Sequence, residues 1–215
     1  MTDRVLYLIR HGQSDAAWQG EGWASARGAQ WDPPLSEEGV RQAALLAERL
    51  LVMDLDPFVV YSSPLRRARE TAEAFVTRAH IDVKFDDDLV EAHIGGWEGV
   101  PFEEIIGSDP EIAHHVRNQR AIWHRAPGAE GAERFQARVR RTVDSILDRH
   151  PEENVVVFAH GGVINAYLGA LLGLGQEMFF LPENTSVNSV DVGGTTRTVR
   201  FLNDVLHLTD PLFFR

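Results

Sequence analysis

The sequence predicts an α/β fold: a mostly parallel central sheet with helices on both faces and an antiparallel edge strand. Three observations lead there. Residues 5–9, 58–61 and 155–158 are short continuous apolar runs, the pattern of strands covered on both faces. Apolar residues at helical spacing follow each run. Near the end of the chain, two further β-prone stretches flank Gly193-Gly194-Thr195-Thr196, the composition of a hairpin turn.

Taken in order, residues 5–9 form the first strand, and Val40, Ala43, Ala44, Ala47 and Leu51 mark the apolar face of the helix after it. The second strand, 58–61, runs into Ser63-Pro64, a natural N-cap and first helical position. Leu65, Ala68, Ala72, Phe75 or Val76, and Ala79 supply the face of that second helix. Residues 83–85 form a short strand, and 101–122 one or two short helices. Phe135, Val139, Val143, Ile146 and Leu147 lie on one stripe of a longer helix, 155–158 is another buried strand, and 162–173 is helical. The hairpin pairs 186–192 with 198–202. Residues 15–34, rich in Gly and Trp, and the Pro-Gly stretch at 127–131 read as long loops. No repeat, low-complexity tract or linker interrupts the pattern, so residues 1–215 are expected to form a single domain.

Composition excludes several functions. The 32 acidic residues outnumber the 21 Lys plus Arg, for a net charge of −11, which argues against a nucleic-acid or anionic-lipid partner. There is no cysteine, so disulfides, thiolate metal sites and a cysteine nucleophile are ruled out. The first apolar run is too short for a signal-peptide core, and no stretch approaches about 18 apolar residues. A cytoplasmic protein without membrane contact is the expectation. The loop at 15–34 is long enough for a lid or a homodimer interface.

Chemistry concentrates at the strand ends. LYLIRHG and VVFAHGG each run from a buried strand into His-Gly, which places His11 and His160 at the carboxyl ends of parallel strands. The second strand delivers Arg66 and Arg67 to the same edge, where ligands of open α/β sheets bind. Two imidazoles and several guanidiniums in an acidic protein point to a phosphate ligand, with a helix N-terminus near Gly161 adding backbone donors. His11 is the candidate nucleophile, since neighbouring guanidiniums disfavour its protonated form. Arg10, Arg67 and a protonated His160 would hold the phosphoryl oxygens. For the leaving-group proton the stretch EAHIGGWEG offers Glu91 and Glu98, with Glu91 first because it directly follows Leu89-Val90.

In order, the residues are Arg10-His11-Gly12; Asp32-Pro33-Pro34-Leu35-Ser36 with Gly39, Gln42 and Ala43; Ser62-Ser63-Pro64-Leu65-Arg66-Arg67-Ala68 with Thr71 and Ala72; Glu91 with Gly95, Trp97, Glu98 and Gly99; and Ala159-His160-Gly161-Gly162. This series resembles the histidine phosphatase superfamily, the phosphoglycerate mutase-like group. The resemblance implies a phosphohistidine intermediate on His11, a phosphate pocket of Arg10, Arg67 and His160, and Glu91 as general acid and then base. It assigns the pocket role to Arg67, next to Ala68, and leaves Arg66 as flanking charge. Gly12, Gly161 and Ser14 complete the expected phosphate contacts. Ser14 stands in because Gln13-Ser14-Asp15-Ala16-Ala17 has alanine at the place where members often carry asparagine. Gly128-Ala129-Glu130-Gly131 also departs from the glycine-rich signature often found before the long helix.

The expected activity is a metal-independent, cofactor-independent phosphomonoesterase acting on a small phosphorylated metabolite. A phosphoglycerate mutase-type transfer is the alternative, disfavoured because HIGGWEG and GVINAY differ from that branch's sequences. A catalytically silent phosphate-binding protein is the third possibility. LLVMDLDPF imitates the aspartyl-phosphate motif with Asp54 and Asp56, but there the strand should precede the aspartates and here it follows them. His114, His115 and His124 are read as solvated rather than metal-binding, because adjacent helical residues diverge by about 100°. Arg138, Arg140 and Arg141 are likewise read as a solvated face.

Overall fold

The computed structural model describes residues 4–25, 28–117, 122, 125–176, 178–194 and 196–209. In chain order the elements are β1 (Arg4–Arg10), β2 (Trp23–Ser25), β3 (Gly28–Gln30), α1 (Glu37–Val52), β4 (Phe58–Ser62), α2 (Arg66–Ala79) and β5 (Val83–Phe85), then α3 (Phe102–Ser108), α4 (Pro110–Arg117), α5 (Ala132–Arg149), β6 (Asn154–Ala159), α6 (Gly161–Leu172), β7 (Val187–Gly193), β8 (Thr196–Asp204) and α7 (Leu206–Thr209). Single 3₁₀ turns at Asp87–Leu89 and Gly95–Trp97 lie between β5 and α3.

Six strands form one sheet in the order β5-β4-β6-β1-β7-β8. β5, β4, β6 and β1 are parallel, and β7 and β8 continue the sheet as an antiparallel hairpin. Alternation along β1 explains why its sequence is apolar throughout. Leu6 and Leu8, with Val155, Val157 and Ala159, face α5 and α6, where they meet Val139, Val143, Ile146, Ile164 and Tyr167. Tyr7 and Ile9, with Val156 and Phe158, face α1 and α2 and meet Leu46, Leu50, Ala72 and Phe75. Fully burying one such side chain stabilises the fold by about 1.5–3 kcal/mol. A smaller cluster of Ile105, Ile112 and Ile122 holds α3 and α4 together with Trp97 packed on it.

Three local readings are corrected. The buried face of α1 is Gly39, Ala43, Leu46, Ala47 and Leu50, while Val40 and Leu51 are exposed, so the stripe is rotated from the one read in the sequence. Helix α2 begins at Arg66, not at Ser63-Pro64, because its first amide is capped from far away: Arg66 N–H donates to Asp32 Oδ1 at 2.6 Å. The 15–34 stretch is not all loop, since it contains the β2–β3 ribbon. Close packing joins the turn after β1 to the start of α1. A Cβ at Gly12 would lie 2.7 Å from the Gly39 carbonyl oxygen, and one at Gly39 would lie 2.0 Å from the Gln13 oxygen, so only glycines let these backbones approach. Among the described residues no helix is long and apolar enough to cross a membrane.

Candidate active site

Because β1 and β6 are register neighbours, with Arg10 opposite Ala159, His11 and His160 leave the sheet side by side. Their ring centroids are 5.2 Å apart. The backbone of His11 is held on both sides: its N–H donates to the Ala159 carbonyl at 3.0 Å, and its own carbonyl accepts from Thr185 N at 3.2 Å and Asn184 Nδ2 at 3.1 Å. In the ring, Nδ1–H donates to the Gly12 carbonyl at 2.7 Å, which puts the lone pair on Nε2. Arg67 Nε–H points at that lone pair from 3.2 Å. His160 is fully buried, with Nε2 2.9 Å from Ser63 Oγ and its other ring nitrogen without a partner among the described residues. Burial, and after it Arg67, hold both imidazoles well below their usual titration range, with Arg10 adding to the effect. The sequence reading had this direction for His11 but named the guanidiniums as cause; desolvation is the larger one. These shifts favour neutral imidazoles, so the proton expected on His160 requires an anion beside it.

Arg67, in the first turn of α2, is buried and donates from Nη1 to the Trp31 carbonyl at 3.2 Å. Trp31 is itself fixed, its N–H donating to Glu98 Oε2 at 2.9 Å while Glu98 Oε1 accepts from Ile94 N at 3.0 Å. Arg10, the last residue of β1, donates from Nη1 to the Pro182 carbonyl at 2.5 Å, and its buried Nε has no partner among the described residues. A Cβ at Gly161 would sit 3.7 Å from that Nε, so Arg10 lies over the N-terminus of α6. An unpaired guanidinium N–H, an unpaired imidazole nitrogen and a helix N-terminus together form an anion site.

Glu91 follows the 3₁₀ turn at Asp87–Leu89, as its position after Leu89-Val90 suggested. Its Oε1 accepts from Ala92 N and its Oε2 from Gly162 N, both at 2.9 Å. Its charge acts on both Arg10 and Arg67. Its backbone carbonyl accepts from Gln30 Nε2 at 3.1 Å and from Arg138 Nη2 at 3.4 Å. Arg138 is the clearest correction to the sequence reading. It is buried, pairs with Glu130 through Nε at 2.6 Å and Nη2 at 2.7 Å, and donates from Nη1 to the carbonyls of Asp88 and Val90. Arg140 and Arg141 remain on the surface.

The fold thus brings His11, Arg10, Arg67, His160, Gly161 and Glu91 to one sheet edge. Ser14 forms a backbone bridge with Leu35, and the Gly12 amide donates to Thr71 Oγ1 at 3.0 Å. Thr71 Oγ1–H in turn donates to the Arg67 carbonyl at 2.7 Å, linking the two motifs. Arg66 points away, pairing with Glu70 at 3.4 Å and lying 5.9 Å from the Trp18 ring centroid. Asp54 and Asp56 precede β4 and so lie at its amino end, on the opposite edge of the sheet. His115 contacts Glu111 at 3.4 Å on α4, and His124 lies outside the described residues. Sequence reasoning missed Ser63 as a partner of His160, Trp31 as a partner of Arg67, and the segment 182–186 that braces Arg10 and His11. For the last two the working groups are largely backbone atoms, which leave no mark in the sequence.

A neutral imidazole with its lone pair fixed outward, two guanidiniums, and a carboxylate aligned by two amides can carry phosphoryl transfer through the imidazole. Comparison with known proteins agrees. A phosphoserine phosphatase of Hydrogenobacter thermophilus is 31% identical over 206 residues, covering 94% of this chain and 93% of that protein. A glucosyl-3-phosphoglycerate phosphatase of Mycobacterium tuberculosis is 35% identical over 183 residues, covering 81% and 78%. The chain spans 47% of some longer curated relatives. The solved structure of Bacillus stearothermophilus YhfR superposes with a TM-score of 0.80 at 32% identity, covering 95% of this chain and 99% of the other. With residues 6–205 matching the family pattern of branch 1, the chain belongs to the histidine phosphatase superfamily.

Proposed function

We propose that the protein is a phosphomonoesterase that hydrolyses a small phosphorylated metabolite through a phosphohistidine on Nε2 of His11. The observation that supports this most is the fixed tautomer of a neutral His11, with Nδ1–H on the Gly12 carbonyl and the Nε2 lone pair presented beside Arg67. Relatives named as phosphatases support hydrolysis as the outcome.

The steps follow from the residues. An incoming phosphoryl oxygen takes over the Arg67 Nε–H, which frees the His11 lone pair to attack phosphorus. Arg10 Nε–H, His160 and the amides at the start of α6 bind the remaining oxygens, replacing the charge neutralisation that a metal supplies in other phosphatases. The Glu91 carboxylate takes up a proton as the ester binds, and as the ester P–O bond breaks it gives that proton to the leaving oxygen. Water then attacks the phosphohistidine, Glu91 takes a proton from it, and the N–P bond breaks to release phosphate and neutral His11.

Rapid acid-free quenching during turnover should trap a phosphoenzyme that is alkali-stable and acid-labile, and His11→Ala should abolish both adduct and hydrolysis. An acid-stable adduct overturns the mechanism. A panel of glycerates, sugar phosphates and nucleotides with and without 2,3-bisphosphoglycerate separates phosphate release from mutase transfer, and a chelator tests metal independence. A single domain over 1–215, cytoplasmic location and a homodimer through residues 15–34 belong to the same reading. Limited proteolysis, fractionation and sedimentation test them.

A further inference from the structure

A cavity of about 210 Å³ adjoins Glu91. Its wall includes Ala92 and Gly162, the two residues whose amides hold the Glu91 carboxylate, so it opens beside the group that protonates the leaving oxygen. The far wall is the first turns of α5, with Glu133, Phe135 and Gln136, and the stretch after α6 that includes Gln176.

The charge of this lining is one-sided. Among the described lining residues there is no Lys or Arg, and Glu133 meets neither in an ion pair. Arg138, 5.0 Å from the Phe135 ring centroid, is committed to Glu130 and to three carbonyls. His93 Nδ1 accepts from Gly95 N at 3.3 Å, which leaves Nε2 as the ring's donor. The cavity therefore offers amide and imidazole hydrogen bonds, apolar contact and one carboxylate. Arg10 and Arg67 lie on the phosphate side of Glu91, and Arg138, behind Phe135, is paired with Glu130.

We infer that this cavity receives the leaving alcohol, and that it selects monophosphate esters of uncharged or amine-bearing alcohols over esters that carry a second anionic group. This rests on the phosphohistidine reading above. A carboxylate in the cavity finds no Lys or Arg among the described lining residues and meets Glu133, whereas a hydroxyl finds the Gln136 amide and an ammonium finds the Glu133 carboxylate.

Two substrate pairs differ only in a carboxylate: phosphoethanolamine against phosphoserine, and glycerol 3-phosphate against 3-phosphoglycerate. In each pair the ester without the carboxylate should have a kcat/KM about tenfold higher or more, a difference of about 1.4 kcal/mol. Glu133→Lys should shrink that ratio about fivefold or more by reversing the charge it meets. Because the readout is a ratio within one preparation, a partly inactive variant does not obscure it. Ratios near one or inverted in the wild type, ratios unmoved in Glu133→Lys, or turnover of neither pair alongside His11-dependent hydrolysis of p-nitrophenyl phosphate would each overturn the inference alone. Failure to hydrolyse any monoester, the aryl ester included, would overturn the underlying mechanism as well.

Discussion

Glu91 and Gly162 are in such close contact that a Cβ on the glycine would lie 2.2 Å from the carboxylate oxygen Oε1. The Gly162 amide is also one of the two donors that aim that carboxylate. A methyl group at 162 would therefore displace the acid without altering its chemistry.

Gly162→Ala should thus reproduce the loss of Glu91→Gln, on the order of 100-fold in kcat for an alkyl phosphate. The loss should be smaller for p-nitrophenyl phosphate, whose leaving group needs less proton assistance. Single-turnover kinetics with both substrates measure this. Equal losses on the two esters in Glu91→Gln would remove Glu91 from the acid role and leave Glu98, whose oxygens are tied to Trp31 and Ile94, as the next candidate.

Arg138 fixes the backbone that carries Glu91, and its charge is balanced by Glu130 in the interior. Glu130→Gln should leave a buried guanidinium half-paired and cost about 3–5 kcal/mol of unfolding free energy, as breaking buried pairs typically does. Urea denaturation gives the number. A change below about 1 kcal/mol, the range of exposed pairs, would mean that water reaches this pair.

Burial, then Arg67, His11 and Arg10, favour the neutral form of His160, whose Nδ1 has no partner among the described residues. Binding of a dianion should raise its proton affinity, so association should take up as much as about one proton near pH 7. Sulfate, which does not titrate near neutrality, is a suitable probe. Calorimetry in buffers of different ionisation enthalpy should show uptake in the wild type and in His11→Asn, and none in His160→Asn. Zero uptake in the wild type would mean that the arginines alone balance the anion.

His207 is lowered to about 4 by burial and by Arg49, and burial also lowers His11 and His160. Each binds a proton more readily in the unfolded chain, so stability should decline as pH falls below about 6.5, with His207 contributing down to about 4. The slope is at most about 1.4 kcal/mol per pH unit for each group. Urea midpoints at pH 7, 6 and 5 should fall in sequence, and less steeply in His207→Gln. An identical slope in that variant would exclude His207 as a source.

The sheet and the charged strand ends were legible because burial on both faces leaves uninterrupted apolar runs and the motif residues sit where those runs stop. Other features were hidden by distance. Ser63-Pro64 carries a local capping signal, but the Arg66 amide that opens α2 goes to Asp32, some thirty residues earlier, while Ser63 Oγ serves both the Leu65 amide and His160. Arg138 sits in a run of arginines and looks solvated until its helix stripe is seen to include Val139 and Thr142 on the buried side. The brace at 182–186 works through the Pro182 carbonyl, the Thr185 amide and the Asn184 side chain, so composition gave no warning of it.

The pairing of β1 with β6 also bears on how such an enzyme can diversify. Adjacent strands lie about 4.8 Å apart wherever the ladder is intact, and the two imidazoles, at 5.2 Å, follow that spacing. Their separation is thus set by backbone hydrogen bonding that no surface loop participates in. The stretch from 92 to 131, which borders the proposed leaving-group cavity, lies outside that ladder and can be exchanged as a module provided Glu98 and Glu130 are kept on Trp31 and Arg138. Grafting that stretch from a relative should redirect substrate preference while the trapped phosphoenzyme, and the histidine that bears it, stay the same.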